Sequence, residues 1–350
     1  MRTGLLSLGD LIRDPVSGVL RTPAQRHRNL IEQAVMAEEI GLDSIHLGEH
    51  HFSRYIMSAP QVVLAAIAER TTRLRLSTGV TLAANLDPVR VAEDYATVDA
   101  ISNGRVEPCF GRGTLFPDVY TEFGQDEPLA KERFAESLEL IHRLWTEENV
   151  SWSGRFRPDL HAVTVHPRPT QHPRPPMWVG AGVSIDSVEL AARLGCWLML
   201  PTVFGTWEMF APAVAHYREA WERHGHDPRD IRVGAISHFC VARTSQEAHS
   251  RFEPRYQLYF DELMNWRAES AHRAGTPLLE LPREPYQTMV STIAICGSPA
   301  EVLDRFSEAR ELLGLDTHVI MTDMGGMPDD DIKRTLDVFA SDVLPTLRAA

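Results

Sequence analysis

Cysteine is scarce in this sequence of 350 residues: only Cys109, Cys196, Cys240 and Cys296, dozens of residues apart and with no C-x-x-C pair. That spacing supports neither a disulfide framework nor a zinc knuckle, so a reducing cytoplasm is the expected setting. Long apolar runs are lacking too. The most apolar stretch, around Leu194 to Gly205, is interrupted by Gly and Pro and falls short of the roughly 20 residues a membrane helix needs. Basic residues are in deficit, 35 Lys and Arg against 48 Asp and Glu for a net charge of −13. No basic stripe is concentrated anywhere, which argues against a nucleic-acid partner. After Met1–Leu8, Asp10, Arg13 and Asp14 arrive before an apolar leader core can form, so the opening reads as a strand and not as a signal peptide. Neither an internal repeat nor a low-complexity tract stands out.

What is present is ordinary globular usage, 43% hydrophobic and 24% charged, arranged in a rhythm of short apolar or β-branched runs and longer segments of helical period. Strands are expected at Gly4–Leu8, Ser44–Gly48, Arg73–Leu82, Arg105–Phe110, Met177–Gly180, Cys196–Pro201, Ile231–Ala242 and Thr317–Asp323. Helices are expected at Pro23–Ile40, Pro60–Arg70, Pro88–Ile101, Leu129–Thr146, Ile185–Leu194, Trp207–His224, Gln246–Ala274, Pro299–Leu313 and Asp330–Leu347. Pro and Ser/Asp signals mark several starts, while Gly41, Gly195, Gly225 and Gly314 mark stops. Eight strand–helix units favour an α/β fold of the (β/α)8 barrel type over an open doubly wound sheet, with all of residues 1–350 in one domain. Two connections exceed the usual length: a Pro-, His- and Arg-rich segment near 149–176, after the fourth strand, and a longer one near 243–315, after the seventh. Insertions in a barrel most often build the site or its lid.

Glu49-His50-His51 follows the second strand, at the end of a barrel where catalysis is expected. Adjacent histidines at a strand end point in different directions, so one zinc ion is not expected to take both. A better division makes one an acid/base and the other structural. Gly111-Arg112-Gly113 follows the fourth strand, where glycines would admit a ligand and the guanidinium could meet an anion. A tight turn with a solvated Arg explains the same residues. Gly180-Ala181-Gly182-Val183-Ser184-Ile185 opens a helix that Ser184 can cap, and its free N–H groups form an anion site. The dinucleotide fingerprint fails there because Ile185 holds the third glycine position. Together the two loops could hold the phosphate of a mononucleotide such as FMN, if they converge. The remaining histidines, His238 among them, show no ligand spacing. Tyr256, Tyr259, Phe260 and Trp266, close to helical spacing, read as core packing, with a substrate-lining lid as the alternative.

The run Gly41-Leu42-Asp43-Ser44-Ile45-His46-Leu47-Gly48-Glu49-His50-His51-Phe52 resembles the bacterial luciferase-like flavin monooxygenases. So do Asp87-Pro88-Val89-Arg90-Val91-Ala92-Glu93, Ser102-Asn103-Gly104-Arg105-Val106, Gly111-Arg112-Gly113, Pro175-Pro176-Met177-Trp178-Val179 and Phe339-Ala340-Ser341-Asp342-Val343-Leu344-Pro345. The resemblance covers nearly the whole chain. It implies a (β/α)8 barrel and a two-component monooxygenase, supplied with FMNH2 by a separate NAD(P)H:flavin reductase and oxygenating a small organic substrate with O2 through a flavin C4a-peroxide. It further implies His50 as the catalytic histidine and Glu49 as the acid beside the flavin. Arg112 would grip the flavin phosphate, with Ser184 and Ser187 near it. Gly79-Val80 would be a non-proline cis peptide under the flavin ring, and no metal is implied. His51 and Glu93 would meet a second subunit, with Pro60–Arg70 and Pro88–Ile101 packing a homodimer.

There are departures. The reactive cysteine next to the phosphate-gripping arginine in luciferase is Gly111 here, so light emission and an aldehyde substrate are not implied. Some relatives use a deazaflavin and transfer hydride without oxygen, which gives one alternative reading. A non-catalytic partner subunit or flavin-storage protein gives another.

Overall fold

The computed structural model describes residues 1–278 and 284–349. Residues 279–283, inside the long connection expected near 243–315, and Ala350 lie outside the described residues. In chain order the first half holds β1 (Arg2–Ser7), α1 (Pro23–Glu39), β2 (Ser44–Leu47), α2 (Pro60–Arg70), β3 (Arg75–Thr78), β4 (Thr81–Leu82), α3 (Pro88–Ile101), β5 (Cys109–Gly111), α4 (Asp118–Glu122), α5 (Ala130–Thr146), β6 (Val150–Trp152) and β7 (Leu160–Val163). The second holds β8 (Trp178–Gly180), α6 (Ile185–Arg193), β9 (Trp197–Leu200), α7 (Ala211–Arg223), β10 (Val233–Val241), α8 (Ser245–Ala274), α9 (Tyr286–Thr292), β11 (Ile295–Gly297), α10 (Pro299–Leu313), β12 (Thr317–Met321), α11 (Asp329–Val338) and α12 (Leu344–Ala349).

Neighbouring strands run β3-β2-β1-β12-β10-β9-β8-β5-β4, every pair parallel. β3 and β4 are two halves of one strand, separated at Gly79–Val80, whose peptide bond is cis. The path therefore returns to its start. Leu76 donates to the Arg105 carbonyl at 2.9 Å and accepts from the Glu107 N–H at 2.8 Å, which closes an eight-stranded barrel. The expected eight strands and their helices are thus present, with shifts at particular ends. Arg73–Leu82 is two short strands instead of one. Pro108, which has no N–H to give a ladder, keeps the fourth barrel strand down to Cys109–Gly111. Asp330–Leu347 is broken by a π-helical turn at Phe339–Val343.

Local signals set the helix boundaries. Thr22 and Gln25 form a reciprocal capping box at α1, and Asp87 accepts from the N–H groups of Val89 and Arg90 at α3. Pro stands in the first turn of α1, α2, α3 and α10, where its missing N–H costs nothing. Arg26 of α1 is buried between two carboxylates, Asp10 beyond β1 and Asp323 beyond β12. Burial and the neighbouring Asp323 carry Asp10 up to about 7 against the pull of Arg26.

The two long connections behave differently. β6 and β7 pair as an antiparallel hairpin on the outer flank of the barrel, tied by Arg155 to Glu132 and by Arg157 to Asp87. No residue from 149–176 reaches the cavity described below, so this segment does not build the site or its lid. The reason is its origin after a helix, on the αβ side, whereas the site lies on the βα side. The connection after β10 does reach the cavity, through α8.

At the centre of the barrel the Val80 side chain fills the space beside two glycines. A Cβ on Gly111 would fall 2.5 Å from Val80 Cγ2, and one on Gly180 would fall 2.6 Å from Val80 Cγ1. Gly111 is therefore needed to seat Val80. Gly111→Ala should cost about 1–3 kcal/mol through overpacking, read as a lowered Tm, and Val80→Ala in the same chain should recover part of the loss. An unchanged Tm in the single variant would show that Val80 gives way freely.

Candidate active site

A cavity of roughly 390 Å³ opens at the C-terminal ends of the barrel strands, the end at which such barrels carry their chemistry. Glu49, His50, Gly79, Val80, Arg112, Ser184 and Ser187 all line it, although they come from four separate stretches of sequence.

Glu49 leaves β2 and brackets the break in the third strand. Its N–H donates to the Val80 carbonyl at 3.0 Å, and its Oε2 accepts from the Leu82 N–H at 3.0 Å. Oε1 pairs with His51 Nε2 at 2.8 Å. With both oxygens engaged, Glu49 holds the cavity floor in place and orients His51. His51 is thereby satisfied within its own chain, its ring edge-on to Phe123. Glu93 lies 3.9 Å from Arg90 on the exposed part of α3.

His50 points elsewhere. Its ring stacks on Tyr55 with centroids 4.3 Å apart and meets the edge of Phe116, and no hydrogen bond to its nitrogens is made among the described residues. Burial, reinforced by the nearby His51, lowers its pKa to about 3, so the ring is neutral at ordinary pH. A neutral imidazole with both nitrogens uncommitted can take a proton at one and offer one at the other.

Arg112 follows β5 in a turn where Gly113 takes a positive φ of 76°. The Arg112 carbonyl accepts from the Tyr120 hydroxyl, while the guanidinium has no acidic partner among the described residues. Ser184 occupies the N-cap position of α6, but its side chain caps nothing, contrary to the expectation from sequence. Instead the Ser187 hydroxyl lies 3.3 Å from that of Ser184. The first N–H groups of α6 thus stay uncapped beside the cavity. Asp186, an acid in that first turn, pairs outward with Lys131 and leaves the helix end positive. The loops of Arg112 and Ser184 do converge, and an anion would meet a guanidinium on one side and a helix N-terminus on the other.

His238 and Arg267, which no sequence motif singles out, also line the cavity, as does Tyr259, for which a substrate-lining place was the alternative to core packing. His238 alternates with Ile236 on the inner face of β10, a period-2 signal that could have marked it as inward. Its Nδ1 lies 3.2 Å from the Tyr256 hydroxyl, and burial lowers its pKa to about 3. Tyr259 lines the cavity while its hydroxyl accepts from Tyr55 at 2.9 Å, so α8 both packs and lines. Leu6, Leu8, Phe116, Met199, Ile236 and Met321 supply apolar wall.

The family model of luciferase-like monooxygenases matches residues 1–317. The chain belongs to that family. A flavin-dependent trigonelline monooxygenase, oxygenase component, of Acinetobacter baylyi is 27% identical over 93% of this chain and 91% of its own. An F420-dependent glucose-6-phosphate dehydrogenase of Amycolatopsis mediterranei is 30% identical over 92% of this chain and 95% of its own. Among solved structures, the monooxygenase RslO1 of Streptomyces bottropensis superposes with a TM-score of 0.87 at 28% identity, covering 99% of this chain and all of that one. Of these relatives one is named for dependence on a flavin and another for dependence on F420.

His46, His50, His238 and His318 are all held neutral, chiefly by burial, with pKa values lowered to about 4, 3, 3 and 3. In the unfolded chain each titrates near 6.5. The unfolded state therefore binds more protons below that value, and the stability present above it is lost as pH falls toward 4. Denaturant midpoints should drop between about pH 7 and about pH 5.5, and His238→Gln should reduce the slope of stability against pH by about one proton. A midpoint independent of pH in the unaltered chain would contradict the neutral-imidazole assignment.

Proposed function

We propose that this chain is the oxygenase component of a two-component flavin monooxygenase. It takes reduced FMN from a separate reductase and oxygenates a small, largely apolar organic substrate with O2. The observation that carries this reading is one cavity holding Arg112, without an acidic partner among the described residues, and the uncapped start of α6 together with the neutral ring of His50, whose nitrogens make no hydrogen bond among those residues.

The residues fit FMN. Arg112 and the α6 N-terminus, with Ser184 and Ser187 beside it, would hold the phosphate. Gly79 and Val80, fixed by Glu49, would form the platform under the ring system. When bound, reduced flavin supplies the electrons that activate O2. His50 would hold or return a proton at one of its ring nitrogens, and the apolar walls would exclude water. Val62 on α2 and Ile101 on α3 are exposed apolar residues, which supports the packing of α2 and α3 against a second copy with His51 and Glu93 nearby. The F420-dependent relative sustains a second reading, hydride transfer with a deazaflavin.

Anaerobic titration with FMNH2, oxidised FMN and reduced F420, followed by mixing with O2, separates the two. Tightest binding of FMNH2 and rapid reaction with O2 are expected, whereas F420 binding without oxygen reactivity would establish the second reading. Arg112→Ala should weaken FMN by about 10–100-fold, the worth of a hydrogen bond to a charged group, with riboflavin unaffected; equal losses would remove Arg112 from the phosphate site. His50→Ala should keep flavin binding while oxygen consumption is diverted to hydrogen peroxide, and undiminished coupled turnover would sink its role.

A further inference from the structure

Off the barrel path, β11 pairs with β10 in parallel register, with Cys240 directly opposite Cys296. Residues opposite one another on neighbouring strands project to the same face, and the strands lie about 4.8 Å apart. That spacing is inside the Cα separation of roughly 4.4–6.8 Å that a disulfide bridges. The two sulfurs differ in access, Cys240 being fully buried and Cys296 half-buried.

Their surroundings are polar on one side. His249 Nδ1 lies 3.7 Å from Cys296 Sγ and the Tyr286 hydroxyl 3.8 Å from it, and that hydroxyl is 2.6 Å from His249 Nδ1. Cys240 Sγ lies 3.7 Å from the Thr335 hydroxyl. Both thiols are free. The contact with Cys240 and burial hold the proton on Cys296 above the ordinary thiol range, so its removal calls for the base beside it, His249.

We propose that Cys240 and Cys296 form a peroxide-reactive dithiol that oxidises to an intramolecular disulfide. A hydroperoxide reaches the half-buried Cys296, whose proton passes to His249. The sulfur attacks the terminal oxygen, the O–O bond breaks, and a sulfenic acid and an alcohol, or water from hydrogen peroxide, result. Cys240 then attacks that sulfenic sulfur, forming the S–S bond and releasing water. Two thiols lose two electrons and two protons, which the peroxide accepts. The inference stands apart from the flavin reading, because it needs only the strand register and an external peroxide.

The bridge would be felt in the cavity. Tyr286 packs against Phe252 and Tyr256, and Tyr256 is the partner of His238 Nδ1. One aromatic layer therefore separates the dithiol from a cavity-lining histidine.

The folded protein is to be treated with hydrogen peroxide, quenched by denaturation in alkylating reagent, and mapped by mass spectrometry. A peptide pair linked through Cys240 and Cys296, lighter by two hydrogens and restored by dithiothreitol, is expected, with the fully buried Cys109 and Cys196 still alkylated. In Cys240→Ser, a sulfenic acid on Cys296 should be trapped by dimedone. Four alkylated cysteines after peroxide treatment would overturn the proposal. So would over-oxidation of Cys296 in the unaltered chain with Cys240 left reduced.

Discussion

The cavity depends on how the third barrel strand is held where it breaks. Glu49 does this from the neighbouring strand end, taking the Leu82 N–H with a carboxylate oxygen and giving its own N–H to Val80. Val80 is then pressed between β5 and β8, which is why both facing positions are glycine. A floor made this way is fixed by backbone and by close packing, so its geometry does not wait for a ligand. Glu49 thus supports the cavity of which it is itself a lining residue.

Upon that floor the charges are sorted by position. Positive character is supplied by Arg112, the start of α6 and Arg267 of α8, while the histidines deeper in are stripped of charge by burial. Among the described residues the one carboxylate on the wall, Glu49, is already bonded. The wall thus carries cationic groups and a large apolar share side by side. Low polarity around His50 strengthens whatever hydrogen bond it makes to a bound group.

Much of this was legible in the sequence because it is local. The starts and ends of α2, α3 and α10 match the expected residues, since Pro in the first turn fixes where a helix can begin. Other features are not local. Arg73–Leu82 reads as one β-favouring run, and nothing within it shows that Glu49 from another strand will bracket a break. Ser184 has a capping residue's type and position, yet Ser187, one turn on, is its partner. That the loops of Arg112 and Ser184 share a cavity follows from closure of the barrel, which no short window contains. His238 has no metal-like spacing to any other histidine, and its inward direction is written only in the alternation of β10.

The 30-residue helix α8 extends, at 1.5 Å per residue, over about 45 Å. Along that rod sit His249 beside the paired cysteines, Tyr259 at the cavity wall and Arg273 on Asp118 near the mouth. Arg255 is bound to Asp14, Tyr259 to Tyr55 and Arg273 to Asp118, all earlier in the chain, whereas His249 meets Tyr286 and Cys296 later in it. Grafting α8 from one relative into another would therefore transplant wall and mouth together with the contact to Cys296. Such a chimera keeps its fit only if Asp14, Tyr55 and Asp118 travel with it, which makes these three the crossover constraints for recombining pockets within this family.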